Sequence, residues 1–74
     1  MKKITVRYGS EQRDVHVSSG ATVGAIIADN STKIILGYGD NVKALINGVE
    51  MSGDTVPSDG DEITIETRAN QKAV

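Results

Sequence analysis

From position 3 to position 8 the chain alternates: Ile4, Val6 and Tyr8 fall on one side, Lys3, Thr5 and Arg7 on the other. A period of two is that of a half-buried strand, so a first strand is predicted here. Gly9, Ser10 and Glu11 carry turn chemistry, and Val15 and Val17 then alternate with Asp14, His16 and Ser18. The second segment is therefore predicted to return as the other arm of a hairpin. After Ser18-Ser19-Gly20 the spacing changes. Val23, Ile26 and Ile27 stand three and four residues apart, and Thr22 ahead of them offers a hydroxyl to the open amides of a first helical turn. One helix over residues 22 to about 30 is predicted. Ala25 stands where the Glu or Gln of a capping box would be, and two turns do not persist in water alone, so this helix must lie on strands.

Ser31 and Thr32 interrupt that pattern. Ile34-Ile35-Leu36 before Gly37 fits either another helical turn, stopped by a left-handed Gly37, or a buried extended run; periodicity does not choose between them. Residues 42–46 are mostly apolar and lead directly into Asn47-Gly48, the pair favoured where a two-residue turn needs positive φ twice. Val49, Glu50 and Met51 then form a short returning strand. Gly53, Pro57 and Gly60, with Asp54, Ser58 and Asp59, make residues 52–60 a loop. Ile63 and Ile65 alternate with Glu62, Thr64 and Glu66 as the last strand, and residues 69–74 lack any periodicity, as in a tail that frays.

Hairpin, helix, second hairpin, loop and strand make an α+β chain. Placing the last strand beside the first closes a four- to five-stranded mixed sheet covered by one short helix. That is the β-grasp, with residues 1–68 as the domain and 69–74 as a flexible tail.

The stretch from Ala44 through Asn47-Gly48 to Glu50, the loop from Val56 through Pro57-Ser58-Asp59-Gly60 to Glu62, and the strand Ile63-Thr64-Ile65 resemble the second half of the ubiquitin-like sulfur carriers. These are the molybdopterin-synthase small subunit and the thiamine sulfur carrier; the related TGS domains are similar too. Ile4-Thr5-Val6 and Gly20-Ala21-Thr22-Val23 are similar to the first half of the same families. The resemblance implies a ubiquitin-like β-grasp and partners such as an adenylating enzyme or a synthase large subunit. It also implies a Gly-Gly terminus, whose carboxylate is activated in a channel too narrow for side chains. This sequence ends in Ala73-Val74 and holds no adjacent glycine pair. Neither thiocarboxylate nor isopeptide chemistry is expected at Val74.

Composition narrows the function. The 74 residues contain no cysteine and one histidine, which removes disulfides, thiolate metal sites, a nucleophilic thiol and any imidazole pair. Eight basic against ten acidic residues give a net charge of −2, without the basic excess of a nucleic-acid binder. No apolar run reaches a membrane span or a signal sequence, so a cytoplasmic protein is expected, or a virion component if the chain belongs to a bacterial virus. Charge is uneven: residues 1–37 hold five bases and three acids, residues 38–74 three bases and seven acids. Six acids and no base lie between Glu50 and Glu66. Such a face is either merely solvated or steers a basic partner.

No catalytic set emerges. His16 stands alone on the polar side of its strand. Glu62 and Glu66 share the outer face of the last strand, with Thr5 and Arg7 as expected cross-strand neighbours. Asp54, Asp59, Asp61 and Glu62 supply only a fragment of a calcium loop. Gly37-Tyr38-Gly39 lacks the lysine and helix of a phosphate loop.

Neither enzyme activity nor a cofactor or metal is expected. Ile34, Ile35, Leu36 and Tyr38 are the apolar residues hardest to bury together in so small a core. They either plug the end of the sheet beside Ile26 and Ile27 or remain exposed as a protein contact. The expected function is a non-catalytic ubiquitin-like interaction or structural module, with Ile34, Ile35, Leu36 and Tyr38 as an apolar centre and Asp59 and Asp61 on an acidic rim. The alternative is a sulfur-carrier relative that binds the family's partner without carrying sulfur. Neither nucleic acid nor membrane is an expected partner.

Overall fold

A computed structural model describes residues 1–68; the expected tail, with Val74, lies outside the described residues. Seven elements follow one another: β1 (Lys2–Tyr8), β2 (Glu11–Val17), α1 (Val23–Ile27), α2 (Asn30–Leu36), β3 (Val42–Ile46), β4 (Val49–Met51) and β5 (Glu62–Thr67). The strands form a single sheet in the order β2-β1-β5-β3-β4. The chain's first and last strands are parallel neighbours at its centre, Val6 opposite Ile63 and Tyr8 opposite Ile65, and the other pairings are antiparallel. A mixed sheet holding helices against one face is the ubiquitin-like β-grasp.

The two tight turns follow from local chemistry. Asn47 and Gly48 have φ of 55° and 80°, the double positive φ that their sequence predicts. At the first hairpin Gly9 takes φ of 62° and Glu11 already pairs with Tyr8, so the turn is two residues long.

Where one helix is predicted over residues 22 to about 30, the structure has two. Thr22 caps α1 as expected, its hydroxyl accepting from the Ala25 amide at 3.2 Å. Asp29 then leaves helical geometry and caps a new helix, accepting from the Thr32 amide at 3.0 Å and from the Thr32 hydroxyl at 2.8 Å. Ser31 and Thr32, expected to interrupt, thus belong to the first turn of a second helix. Of the two conformations open to Ile34-Ile35-Leu36, the helical one is found: Gly37 stops α2 at φ of 87°, its amide donating to the Lys33 carbonyl at 2.7 Å.

The core is aliphatic. Ile4 and Val6 of β1, Ile63 and Ile65 of β5, and Ala44 and Ile46 of β3 meet Val23 and Ile26 of α1 and Leu36 of α2, with Tyr38 beside them. A fully buried residue of this type contributes about 1.5–3 kcal/mol. The loop after β4 also clasps α1: the amides of Val23 and Gly24 donate to the carbonyls of Thr55 and Gly53 at 2.7 and 3.0 Å. Two open amides of the short helix are thereby satisfied.

Candidate partner-binding face

The helix α2 sorts the four apolar candidates by angle. Thr32 and Leu36, one turn apart, face the core, so Ile34 and Ile35 between them point outward. Ile34 is 79% exposed and Ile35 60%, whereas Leu36 and Tyr38 are each only 5% exposed. Of the two alternatives, burial therefore holds for Leu36 and Tyr38, which drop out of the expected apolar contact and leave Ile34 and Ile35. For Leu36 the cause is helical phase. For Tyr38 it is a polar anchor: the phenol donates to the Ile27 carbonyl at 2.7 Å, and its ring lies 5.7 Å from that of Tyr8 at 58°. Burial, aided by the negative charge of Asp29, pushes the Tyr38 phenol up to about 12.

The frame around Ile34 and Ile35 is fixed at both ends. Hydrogen bonds from the Thr32 side chain and then its amide hold the Asp29 carboxyl below the ordinary carboxylate value, with Arg13 adding a smaller attraction. Lys33 bonds the Asp40 carboxylate across the turn after α2 and lowers it in the same direction.

Asp59 and Asp61 organise a loop. Asp59 accepts from the Lys3 amide at 2.7 Å and Asp61 from the Ser58 amide at 2.8 Å. Backbone bonds from Gly60 to the Lys3 carbonyl and from Thr5 to the Asp61 carbonyl dock this loop on the start of β1. Three of the six acids of the acidic stretch are held in ion pairs. Glu50 meets Arg68 at 2.8 Å, Glu62 meets Arg7 at 3.5 Å and Glu66 meets Lys43 at 3.7 Å. The expectation that strand one would serve both glutamates holds for Glu62 alone, because Glu66 lies beyond the β1 pairing and opposite Lys43 of β3. With Lys3 and Asp14 at 4.0 Å, ion pairs run across the outer sheet face, leaving little apolar surface there. Each is exposed and contributes about 0–1 kcal/mol.

His16 is exposed on β2, and among the described residues no three His, Cys, Asp or Glu side chains converge as metal ligands. Nor is any described helix long and apolar enough to cross a membrane.

Two residues of consequence escape sequence reasoning. Lys2 is 5% exposed, its ammonium donating to the carbonyls of Ser19, Ala21 and Pro57 at 3.0, 3.3 and 2.6 Å. Its one sequence signal is its phase with Ile4 and Val6. Arg13 also lies on the helix side of the sheet, and its Nη1 is buried without a hydrogen-bond partner among the described residues.

No family model and no curated protein match this sequence. Solved structures do. A ubiquitin of Caldiarchaeum subterraneum superposes with a TM-score of 0.72 at 21% identity, over 92% of this chain and 94% of that one. The small archaeal modifier protein 1 of H. volcanii gives 0.73 at 17% identity, covering 93% of this chain and all (100%) of its own. A putative molybdopterin converting factor subunit 1 from Pyrococcus furiosus gives 0.73 at 19%, with the same coverage of 93% and 100%. At these identities the likeness is one of fold: the chain has the ubiquitin-like β-grasp.

Proposed function

We propose that this ubiquitin-like β-grasp chain is a non-catalytic module that works by protein contact, and that the contact centres on Ile34 and Ile35. The observation that carries this reading is the exposure of two adjacent isoleucines on a helix whose caps and buried face leave it no freedom to turn them inward. Exposed aliphatic surface held rigidly is suited to a partner's apolar pocket. The acids Asp59 and Asp61 are bound into their loop and contribute charge rather than contact area.

A sulfur-carrier relative that docks on an adenylating enzyme or a synthase without carrying sulfur is a second reading, supported by the fold shared with the P. furiosus subunit. One experiment addresses both. A photo-crosslinking residue at position 34 traps the partner, which is then purified and titrated against the Ile34→Ser, Ile35→Ser and Asp59→Asn/Asp61→Asn variants. Loss of binding in the isoleucine variants, with little change in the aspartate variant, is expected. Undiminished binding by both isoleucine variants overturns the proposed face, and an adenylating enzyme or synthase subunit as the trapped partner selects the second reading.

A further inference from the structure

Two dipeptides of the chain set a glycine amide directly after a side-chain carbonyl, Asn47-Gly48 and Asp59-Gly60. In such a pair the glycine nitrogen can close a cyclic imide on the preceding side chain, because no Cβ at the glycine hinders its approach. The fold treats the two pairs differently. At Asp59-Gly60 one residue of β1 holds both reacting groups: the Lys3 amide donates to Asp59 Oδ1 at 2.7 Å, and the Lys3 carbonyl accepts from the Gly60 amide at 2.8 Å. Electrophile and nucleophile are locked in place together.

At Asn47-Gly48 nothing corresponds to that lock. The Ile46–Val49 pair closes the β3–β4 ladder ahead of the turn, both turn residues are exposed, and the space beside the Gly48 Cα is open. Among the described residues neither the Gly48 amide nor the Asn47 carboxamide has a hydrogen-bond partner. β4 is three residues long, lies at the sheet edge and pairs only with β3. This tip therefore opens at lower cost than the sheet centre, which lets Asn47 leave its φ of 55° and present Cγ to the Gly48 nitrogen.

We propose that Asn47 is a site of spontaneous covalent modification, deamidation driven by water, at a turn the fold leaves free, while Asp59 is held against the corresponding reaction. The Gly48 amide gives its proton to hydroxide and its nitrogen forms a bond to Asn47 Cγ. The Cγ–Nδ2 bond breaks, and the nitrogen takes a proton from water and leaves as ammonia. Water then opens the imide at either carbonyl. Opening at the side-chain carbonyl gives aspartate at position 47; opening at the main-chain carbonyl gives isoaspartate, whose backbone is longer by one methylene. Either product adds a negative charge, but the two part in their effect on the sheet. Aspartate before glycine is itself favoured at the two positive φ of this turn, so β4 stays paired. Isoaspartate lengthens a turn that allows only two residues, and the β3–β4 register is lost. The loop behind β4, whose Gly53 and Thr55 carbonyls hold the amides of α1, then loses its anchor.

The test incubates the folded chain at neutral and mildly alkaline pH. Products are located by mass spectrometry with electron-transfer fragmentation, and isoaspartate is counted with a methyltransferase specific for it. Loss of the amide is expected at position 47 ahead of Asn30 and Asn41, and faster as pH rises. Isoaspartate at position 59 appears only when the chain is held unfolded in urea. Gly48→Asn adds a Cβ at the nucleophile while keeping a residue that tolerates positive φ, and it suppresses the reaction at 47. In the aged wild type the Val49 and Met51 amides lose the exchange protection that Asn47→Asp retains. Should Gly48→Asn open the hairpin, the site map and pH series of the wild type decide alone. The proposal falls if position 47 keeps its amide, if Asn30 or Asn41 reacts first, if the rate does not rise with pH, or if position 59 forms isoaspartate as readily folded as unfolded.

Discussion

Lys2 and Pro57 stand 55 positions apart in the sequence, yet the ammonium of the first donates to the carbonyl oxygen of the second at 2.6 Å. The same ammonium holds Ser19 and Ala21 of the segment entering α1, so one side chain ties the start of β1 to two loops. Lys2→Met keeps the aliphatic stem but leaves three carbonyl oxygens without this donor. A loss of about 2–4 kcal/mol is expected, read from the urea midpoint.

Core and surface predict opposite outcomes for neighbours on α2. Leu36→Ala removes a side chain packed against β-sheet and helix and costs about 2–5 kcal/mol. Ile34→Ser and Ile35→Ser stay within about 0.5 kcal/mol of wild type in the same denaturation series. A large loss from either isoleucine variant would mean that the face is structural rather than available for contact.

Acid stability follows from the carboxylates at the two ends of α2. Asp29 and Asp40 both ionise below the ordinary value of 3.8 in the folded chain, so folding favours their charged forms. Their contribution is fully present above that value and is lost as pH falls through their lower folded values. The urea midpoint is expected to hold level from neutral pH down to about 5 and to fall below about 4. Asp29→Asn flattens that fall.

At the alkaline end the sign is reversed in proton terms. The Tyr38 phenol is raised from 10.0 to about 12, so the unfolded chain gives up this proton first. Stability is fully present below pH 10.0 and declines as pH rises towards 12. A tyrosinate absorbance titration followed alongside circular dichroism should show unfolding in that window, weakened in Tyr38→Phe. That variant also loses the bond to the Ile27 carbonyl, at about 0.5–1.5 kcal/mol near neutral pH.

The sheet is legible in sequence because its information is local: Ile4 and Val6, and Ile63 and Ile65, alternate, and Asn47-Gly48 names its own turn. The helical region is less so. Asp29 to Thr32 reads equally well as a loop or a cap, and which of Ile34, Ile35 and Leu36 turns inward depends on where that cap starts the helix. Lys2 and Arg13 are hidden for a different reason. A charged residue in phase with apolar ones is unremarkable at the end of a strand, and only the three-dimensional approach of distant carbonyls, or a helix wall closing over a guanidinium, gives it a role.

The parallel pairing of β1 with β5 also governs the order in which the molecule can be made. During synthesis the two hairpins and both helices emerge before residues 62–67, but the strand that joins the hairpins into one sheet comes last. Until Ile63 and Ile65 leave the ribosome, Ile4 and Val6 lack their central neighbours and two isolated hairpins are marginal in water. Long-range closure of this kind makes the sheet depend on residues 62–67, and until they pair, the hairpins and their apolar residues stand open to proteases and chaperones.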